Sequence, residues 1–242
     1  MSASSSYMPV VSGLMLDYYL GLGYYRMVQD LFTCRLLAVE GEYHTVHWLR
    51  LRLADVQYGP EQRRLLRLNE KFSVTIRPLR ITPELEALYA LYRSSITFDA
   101  PETVDSFLLG GATHSIFTTE MIEIRDGQQL IAAGIFDSGT RTLAGIMNFY
   151  DPSYRKYSLG KYLMLLKINH ARQLQTTFYY PGYLVHNYPK FDYKLFPSVA
   201  ATEVYDCLNS EWLPFSWDAV AAHSASLMAE MLDEELGAHD PE

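Results

Sequence analysis

Residues 150–174 read YDPSYRKYSLGKYLMLLKINHARQL. They imply a strand end, a turn and a helix whose start holds Ser158 and Gly160 among three cations, Arg155, Lys156 and Lys161. The first N–H groups of a helix have no partner within it, and the helix dipole adds positive potential there, so a start built this way suits an anion, phosphate above all. A second basic segment, QRRLLRLNEK, places Arg63, Arg64, Arg67 and Lys71 on a short helix. Residues 50–80 carry eight Lys or Arg against three acids, and residues 155–172 carry five with no acid. The net charge of −8 conceals this, because six acids fall in residues 228–242. A phosphate-bearing partner responds to the local field, so the acidic total does not exclude nucleic acid.

The rest of the chain must position these groups. With 242 residues, 49% hydrophobic and 20% charged, the composition is that of a globular protein. No apolar run approaches the roughly 18 residues of a membrane span, and the Ser-rich start lacks the basic and apolar regions of a signal peptide. Two cysteines, Cys34 and Cys207, are too few for a disulfide scaffold, so a cytoplasmic location is the expectation. A helix is expected from Gly13, ending near Gly21 and Gly23. A hairpin follows, with GEYH at its turn. GPEQRRLLRLNEKF reads as a helix, SVTIRPLR as a strand, and ITPELEALYALYRSSI as a helix with Thr82 as N-cap and Pro83 behind it. Residues 115–152 contain three strand-like runs with turns at Asp126-Gly127 and Ser138-Gly139. The helix from Ser158 comes next, then the strand TTFYYPGYLV, a further strand at FDYKLF, and a C-terminal helix from Ser216. Residues 1–55 form an N-terminal helix and hairpin region, and residues 56–242 a larger domain.

Antiparallel strands followed by strand, helix and strand make an α+β layered fold. The order matches the acetyltransferase-like (GNAT) fold, a mixed sheet flanked by helices in which a helix N-terminus takes the pyrophosphate of coenzyme A. The coenzyme A loop resembles Q/R-x-x-G-x-G/A, and here Tyr157, Gly160 and Tyr162 stand at its positions. The bulky Tyr162 disfavours coenzyme A, which points to a different phosphate-bearing donor.

Several ordered motifs then converge. Asp137 ends a strand, and after it come Tyr150-Asp151-Pro152, Ser158 to Tyr162, Tyr180, Gly182, Tyr183, His186, Pro189-Lys190 and Tyr193-Lys194. Together they resemble the C-terminal domain of the arginyl-tRNA–protein transferases and the related bacterial leucyltransferases, over roughly residues 55–215. The resemblance implies that an aminoacyl-tRNA is the donor and the α-amino group of a protein N-terminus the acceptor, with arginine as the transferred residue and leucine as the alternative. The product would mark proteins for degradation. No cofactor is implied. Aminolysis of an ester needs a neutral amine, stabilisation of a tetrahedral oxyanion and a place for the leaving ribose hydroxyl, but no nucleophilic side chain. A non-catalytic tRNA- or N-terminus-binding protein of the same fold is the alternative from another class.

The resemblance also distributes roles. Asp137 would receive the incoming amine or the donor's arginine side chain. His186 would be the general base, its ordinary pKa of about 6.5 suiting that task, and Tyr193 would join them. Tyr150, Ser158, Gly160, Lys161, Tyr162, Tyr183, Lys190 and Lys194 would bind substrate, with the Tyr162 ring beside a nucleotide. Arg63, Arg64, Arg67, Lys71, Arg155 and Lys156 would grip tRNA phosphates. Two departures stand out. The family's cysteine cluster is reduced to Cys34, with His44 and His47 nearby in sequence, so no metal is expected. In the long helix, Thr97 stands where the family tends to carry histidine.

Overall fold

The computed structural model describes residues 10–39 and 41–237; the outer parts of the Ser-rich start and of the acidic tail lie outside them. Helix α1 (Gly13–Gly21) is capped by Ser12, whose Oγ accepts from Met15 N. It stops at the expected glycine. Strands β1 (Tyr25–Met27) and β2 (Asp30–Phe32) then form a two-stranded ribbon. Strands β3 (Leu36–Val39) and β4 (Glu42–Arg52) make the expected hairpin, but Val39 pairs with Glu42. The expected GEYH turn is therefore corrected: Glu42–His44 are already strand, and Gly41 at φ +88° occupies the turn.

Helix α2 (Pro60–Asn69), strand β5 (Ser73–Pro78) and helix α3 (Pro83–Arg93) follow as expected, with Thr82 Oγ1 accepting from Leu85 N. The short helix α4 (Val104–Leu108) was not expected; Thr103 and Ser106 close a capping box at its start. Strands β6 (Thr119–Asp126), β7 (Gln129–Ser138) and β8 (Thr142–Tyr150) lead through a 3-10 segment, Pro152–Tyr157, to helix α5 (Leu159–Gln173) and strand β9 (Phe178–Val185). The strand expected at FDYKLF is instead a 3-10 segment, Pro189–Leu195, in which Lys194 and Leu195 turn inward. Strands β10 (Thr202–Asp206) and β11 (Glu211–Pro214), missed in the sequence, precede helix α6 (Trp217–Gly237).

The main sheet runs β11-β10-β4-β9-β8-β7-β6-β5, with β3 also paired to β4. It is mixed: β8 and β9 are parallel and joined across the sheet by α5, and the other pairs are antiparallel. With helices packed on its faces, this is the α+β, GNAT-like arrangement read from the strand order. The boundary placed after residue 55 falls between β4 and α2, and β4 lies inside the sheet, between β10 and β9.

Helix α5 buries Leu159, Leu163, Leu165, Ile168 and Ala171 against Ile131, Phe136 and Tyr179. Each buried leucine contributes about 1.5–3 kcal/mol, so this face anchors the helix. Leu85, Leu88 and Tyr89 of α3 and Val104 and Leu108 of α4 form a separate cluster with Met121, Ile135 and Phe149 of β6, β7 and β8. Among the described residues no helix is long and apolar enough to cross a membrane.

Candidate active site

The parallel pair β8–β9 is short. Thr142, Leu143 and Ala144 pair with Phe178, Tyr179 and Tyr180, and pairing ends there. Just beyond, the β7–β8 register slips: Ile135 faces Met147 but Phe136 faces Gly145, which leaves Ile146 as the extra residue of a bulge. Bulges bend the strand that carries them, so β8 leaves β9 and a wedge opens in the sheet. The carbonyls stranded at its apex are not left bare. Tyr25 Oη lies 2.6 Å from Gly145 O and 2.8 Å from Tyr180 O, and its one proton serves both strands.

Two chambers occupy the wedge. The inner one, about 340 Å³, is walled by Gly145–Asn148 of β8, Tyr179 and Pro181–Tyr183 of β9, Met164 and Lys167 of α5, and apolar residues including Met27, Phe32, Trp48 and Phe107. The outer one, about 650 Å³, has the aromatic residues Tyr92, Phe98, Tyr150 and Phe191, the cations Arg155, Lys161 and Lys190, and the α5 start at Ser158 and Gly160. Asn148, Tyr183 and Tyr193 line both and form the junction. The buried Asn148 Oδ1 has no hydrogen-bond partner there among the described residues.

Three cations border the inner chamber, and they are held differently. Arg26 is paired with a carboxylate: Nη1 donates to Asp137 Oδ1 at 2.9 Å, Nη2 to Leu108 O at 2.7 Å and Nε to Val28 O at 2.7 Å. Lys167, 1% exposed, donates from Nζ to Ile135 O at 2.7 Å and Met147 O at 3.0 Å, the two carbonyls flanking the bulge. Lys194, 8% exposed, donates to Tyr183 O at 2.6 Å and lies against the rings of Tyr183 and Phe191. Burial lowers the pKa of both lysines to about 7. Among the described residues no carboxylate lines the inner chamber, while Asp99 lines the outer one.

The expected site residues separate into groups. Tyr150, Ser158, Gly160, Lys161, Tyr183, Lys190, Tyr193, Lys194 and Arg155 all line the chambers. Ser158 adopts the left-handed conformation at φ 49°, and a Cβ at Gly160 would meet only the Tyr150 ring, at 3.7 Å. Lys161 Nζ lies 3.9 Å from Glu61 and over the Phe196 ring, which ties α5 to α2. Beside that contact Arg64, Arg67, Lys71 and Lys156 are exposed, and Lys71 Nζ donates to Tyr157 Oη at 2.8 Å. Arg63, also exposed, donates to Tyr58 O.

Three placements need correction. Tyr162 lines neither chamber. Its N–H bonds to Ser158 O one turn back, and the ring is buried in the core with Leu65 and Phe72. His186 lines neither chamber. Along β9, Tyr183 and Val185 face the Trp48 cluster, whereas Leu184 faces Val220 and Leu49, and the period of two sends His186 the same way as Leu184, toward α6. Asp137 ends its strand at the fold's centre but is wholly buried. Both oxygens are taken by Arg26, and Thr119 Oγ1 donates to Oδ1 at 2.6 Å, so Asp137 holds Arg26 rather than touching substrate. Cys34, His44 and His47 do not converge: His47 Nε2 bonds Thr45 and Ser224, and His44 Nδ1 meets His186 O.

Sequence reasoning missed Arg26, Asn148 and Lys167. Only Lys167 left a signal: a lone charge inside LMLLKI, four residues after Leu163 and three after Met164, on the buried face of a helix.

Residues 84–197 match the family model described as arginine-tRNA-protein transferase, C terminus. Among curated proteins, the chain is 31% identical over 152 residues to an aspartate/glutamate leucyltransferase of Nitrosococcus oceani, covering 60% of this chain and 62% of the relative. A protein of the same name from Hahella chejuensis is 32% identical over 152 residues, covering 60% and 63%. The match thus spans less than two thirds of these relatives' length. Both comparisons agree on a likeness to aminoacyl-tRNA–protein transferases, and the matched segment contains α5, β8, β9 and most of both chamber walls. Among solved structures, the C-terminal domain (DUF2156) of an Agrobacterium fabrum protein assigned as a lysylphosphatidylglycerol synthetase shares the fold, with TM-score 0.50 at 11% identity over 90% of this chain and 70% of that one.

Proposed function

We propose that this protein transfers the leucyl group of a leucyl-tRNA to the α-amino group of protein N-termini that begin with Asp or Glu. One observation carries the reading: a cationic, aromatic outer chamber at a helix start leads through Asn148, Tyr183 and Tyr193 into an inner chamber whose wall, among the described residues, combines an apolar patch with three cations and holds no carboxylate. An arginine side chain would bring a guanidinium into a wall that already holds Arg26, Lys167 and Lys194, with Asp137 spent on Arg26. A leucine side chain asks only for apolar surface, which Met27, Phe32, Trp48 and Phe107 provide. The preference between the two donors therefore moves from arginine to leucine. The names carried by the relatives agree with this choice and supply the acidic acceptor.

In this reading the terminal adenosine stacks in the outer chamber against Tyr150, Tyr92 or Phe98, and Arg155, Lys190 and the α5 start meet phosphate. The exposed cations of α2 and the 3-10 segment extend the electrostatic track. The ester carbonyl sits at the junction. There the unpartnered Asn148 Oδ1 accepts an N–H of the incoming neutral amine, which aims the amine nitrogen's lone pair at the ester carbonyl carbon. The C–N bond forms, the bond to the ribose oxygen breaks, and that oxygen leaves with the proton the amine gives up. The test is incubation of the purified protein with separately charged leucyl- and arginyl-tRNA and peptides beginning with Asp, Glu, Lys or Arg, followed by mass spectrometry. Leucine addition to the Asp and Glu peptides is expected. Arginine addition, or none from either tRNA, refutes the reading.

A further inference from the structure

The three inner-chamber cations are not equivalent. Arg26 is matched by Asp137 and two carbonyls, and Lys167 donates to two carbonyls. Lys194 is buried like Arg26, yet among the described residues its three N–H groups have a single protein acceptor, Tyr183 O. No carboxylate of the described residues pairs with it, and the rings of Tyr183, Phe191 and Tyr193 stand 4.8, 4.5 and 5.6 Å from Nζ. Burying an ammonium without a matching anion is costly unless a ligand supplies one. The neighbouring backbone leaves room for it. Gly182, at φ +100°, passes beside Lys194, and the Cβ it lacks would lie 3.7 Å from Nζ.

The chemistry of the two substrates identifies the anion. In an aminoacyl-tRNA the donor's carboxyl group is esterified and uncharged, and its α-amine is cationic. The nucleic-acid phosphates meet the exposed cations of the outer chamber, whereas Lys194 lies beyond the Tyr183–Tyr193 junction. The one anion that enters the inner chamber on a substrate is the side-chain carboxylate at the acceptor's first residue. We propose that Lys194 is the specificity-determining residue that pairs with this carboxylate and selects acidic N-termini. This rests on the transferase reading above. Lys194 takes no part in bond making; it fixes the acceptor so that the α-amine reaches the ester.

The test uses the whole chain and peptides that differ only in their first residue, Asp against Asn and Glu against Gln. Charge-assisted hydrogen bonds set the scale, so wild type should favour Asp over Asn in kcat/KM by about 10- to 100-fold. In Lys194→Met that ratio should collapse to within about threefold, through a raised KM for the Asp peptide alone, while Lys194→Arg should keep much of it. Should Lys194→Met fail to melt cooperatively, Lys194→Gln, which retains an N–H for Tyr183 O, takes its place. Persistence of the Asp-over-Asn ratio without the charge overturns the assignment, as does a wild-type enzyme that transfers leucine without the preference. Failure of wild type to transfer leucine to any peptide instead overturns the reading beneath it.

Discussion

Removing the Asp137 carboxylate should be expensive, and the structure gives the size. Asp137 and Arg26 have side chains 0% and 2% exposed, with Nη1 and Oδ1 at 2.9 Å, so neither charge has water as a fallback. Taking one partner from such a pair costs about 3–5 kcal/mol, because the other stays buried and uncompensated. Arg26 would keep Val28 O, Leu108 O and Thr119 Oγ1, which places Asp137→Ala toward the lower end, about 3 kcal/mol. For a chain of this length that corresponds to a fall in Tm of roughly 6–12 °C. Urea unfolding followed by circular dichroism measures it directly. The pair also predicts non-additivity. Arg26→Met with Asp137→Leu removes both charges and should lose at least about 1 kcal/mol less than the sum of the Arg26→Met and Asp137→Leu losses, since the double variant buries no orphan charge. Transfer should fall in both single variants, because Arg26 shapes the inner wall. A loss below about 1 kcal/mol in Asp137→Ala, or strict additivity in the double variant, would refute the view that Asp137 is a buried counter-ion.

Three further outcomes follow from the same geometry. Burial lowers the Lys167 pKa to about 7 while the unfolded value is about 10.4, so between those limits the unfolded chain binds the extra proton and stability rises with pH; Lys167→Met should flatten that rise, by up to about 1.4 kcal/mol per pH unit, in urea titrations from pH 6.5 to 9.5, and an unchanged slope would contradict it. Replacing the exposed Arg64, Arg67 and Lys156 by Gln should lower the slope of log affinity for tRNA against log salt by about 0.7–0.9 for each phosphate no longer neutralised, and an unaltered slope would place the track elsewhere. Gly160→Val, whose Cβ would meet only the Tyr150 ring, should retain the fold and lose transfer, whereas Tyr162→Ala should open a core cavity and cost about 3–5 kcal/mol in melts; a Tyr162→Ala variant of full stability would refute the core placement of that ring.

Local elements are legible in the sequence. Thr82 and Pro83 specify a helix start, Asp126-Gly127 and Ser138-Gly139 specify the turns between β6, β7 and β8, and the order of strand, helix and strand around α5 specifies the mixed sheet. Much of the outer chamber is marked as well, through the family resemblance, because Tyr150, Gly160 and Lys190 sit in its ordered motifs, whereas most of the inner wall is not. These signals survive in one dimension because capping, turn formation and periodicity act between residues a few positions apart. Which way the side chains point is settled only when distant segments meet. A one-residue bulge at Ile146 opens the wedge, and the alternation along β9 gives Tyr183 to the cleft and takes His186 from it. One turn of α5 carries Tyr162 into the core, and Arg26 reaches across 111 positions to claim Asp137. Each depends on register and packing between those segments. A shift of one residue reverses a side chain's face, and local periodicity carries no record of the partner it will meet.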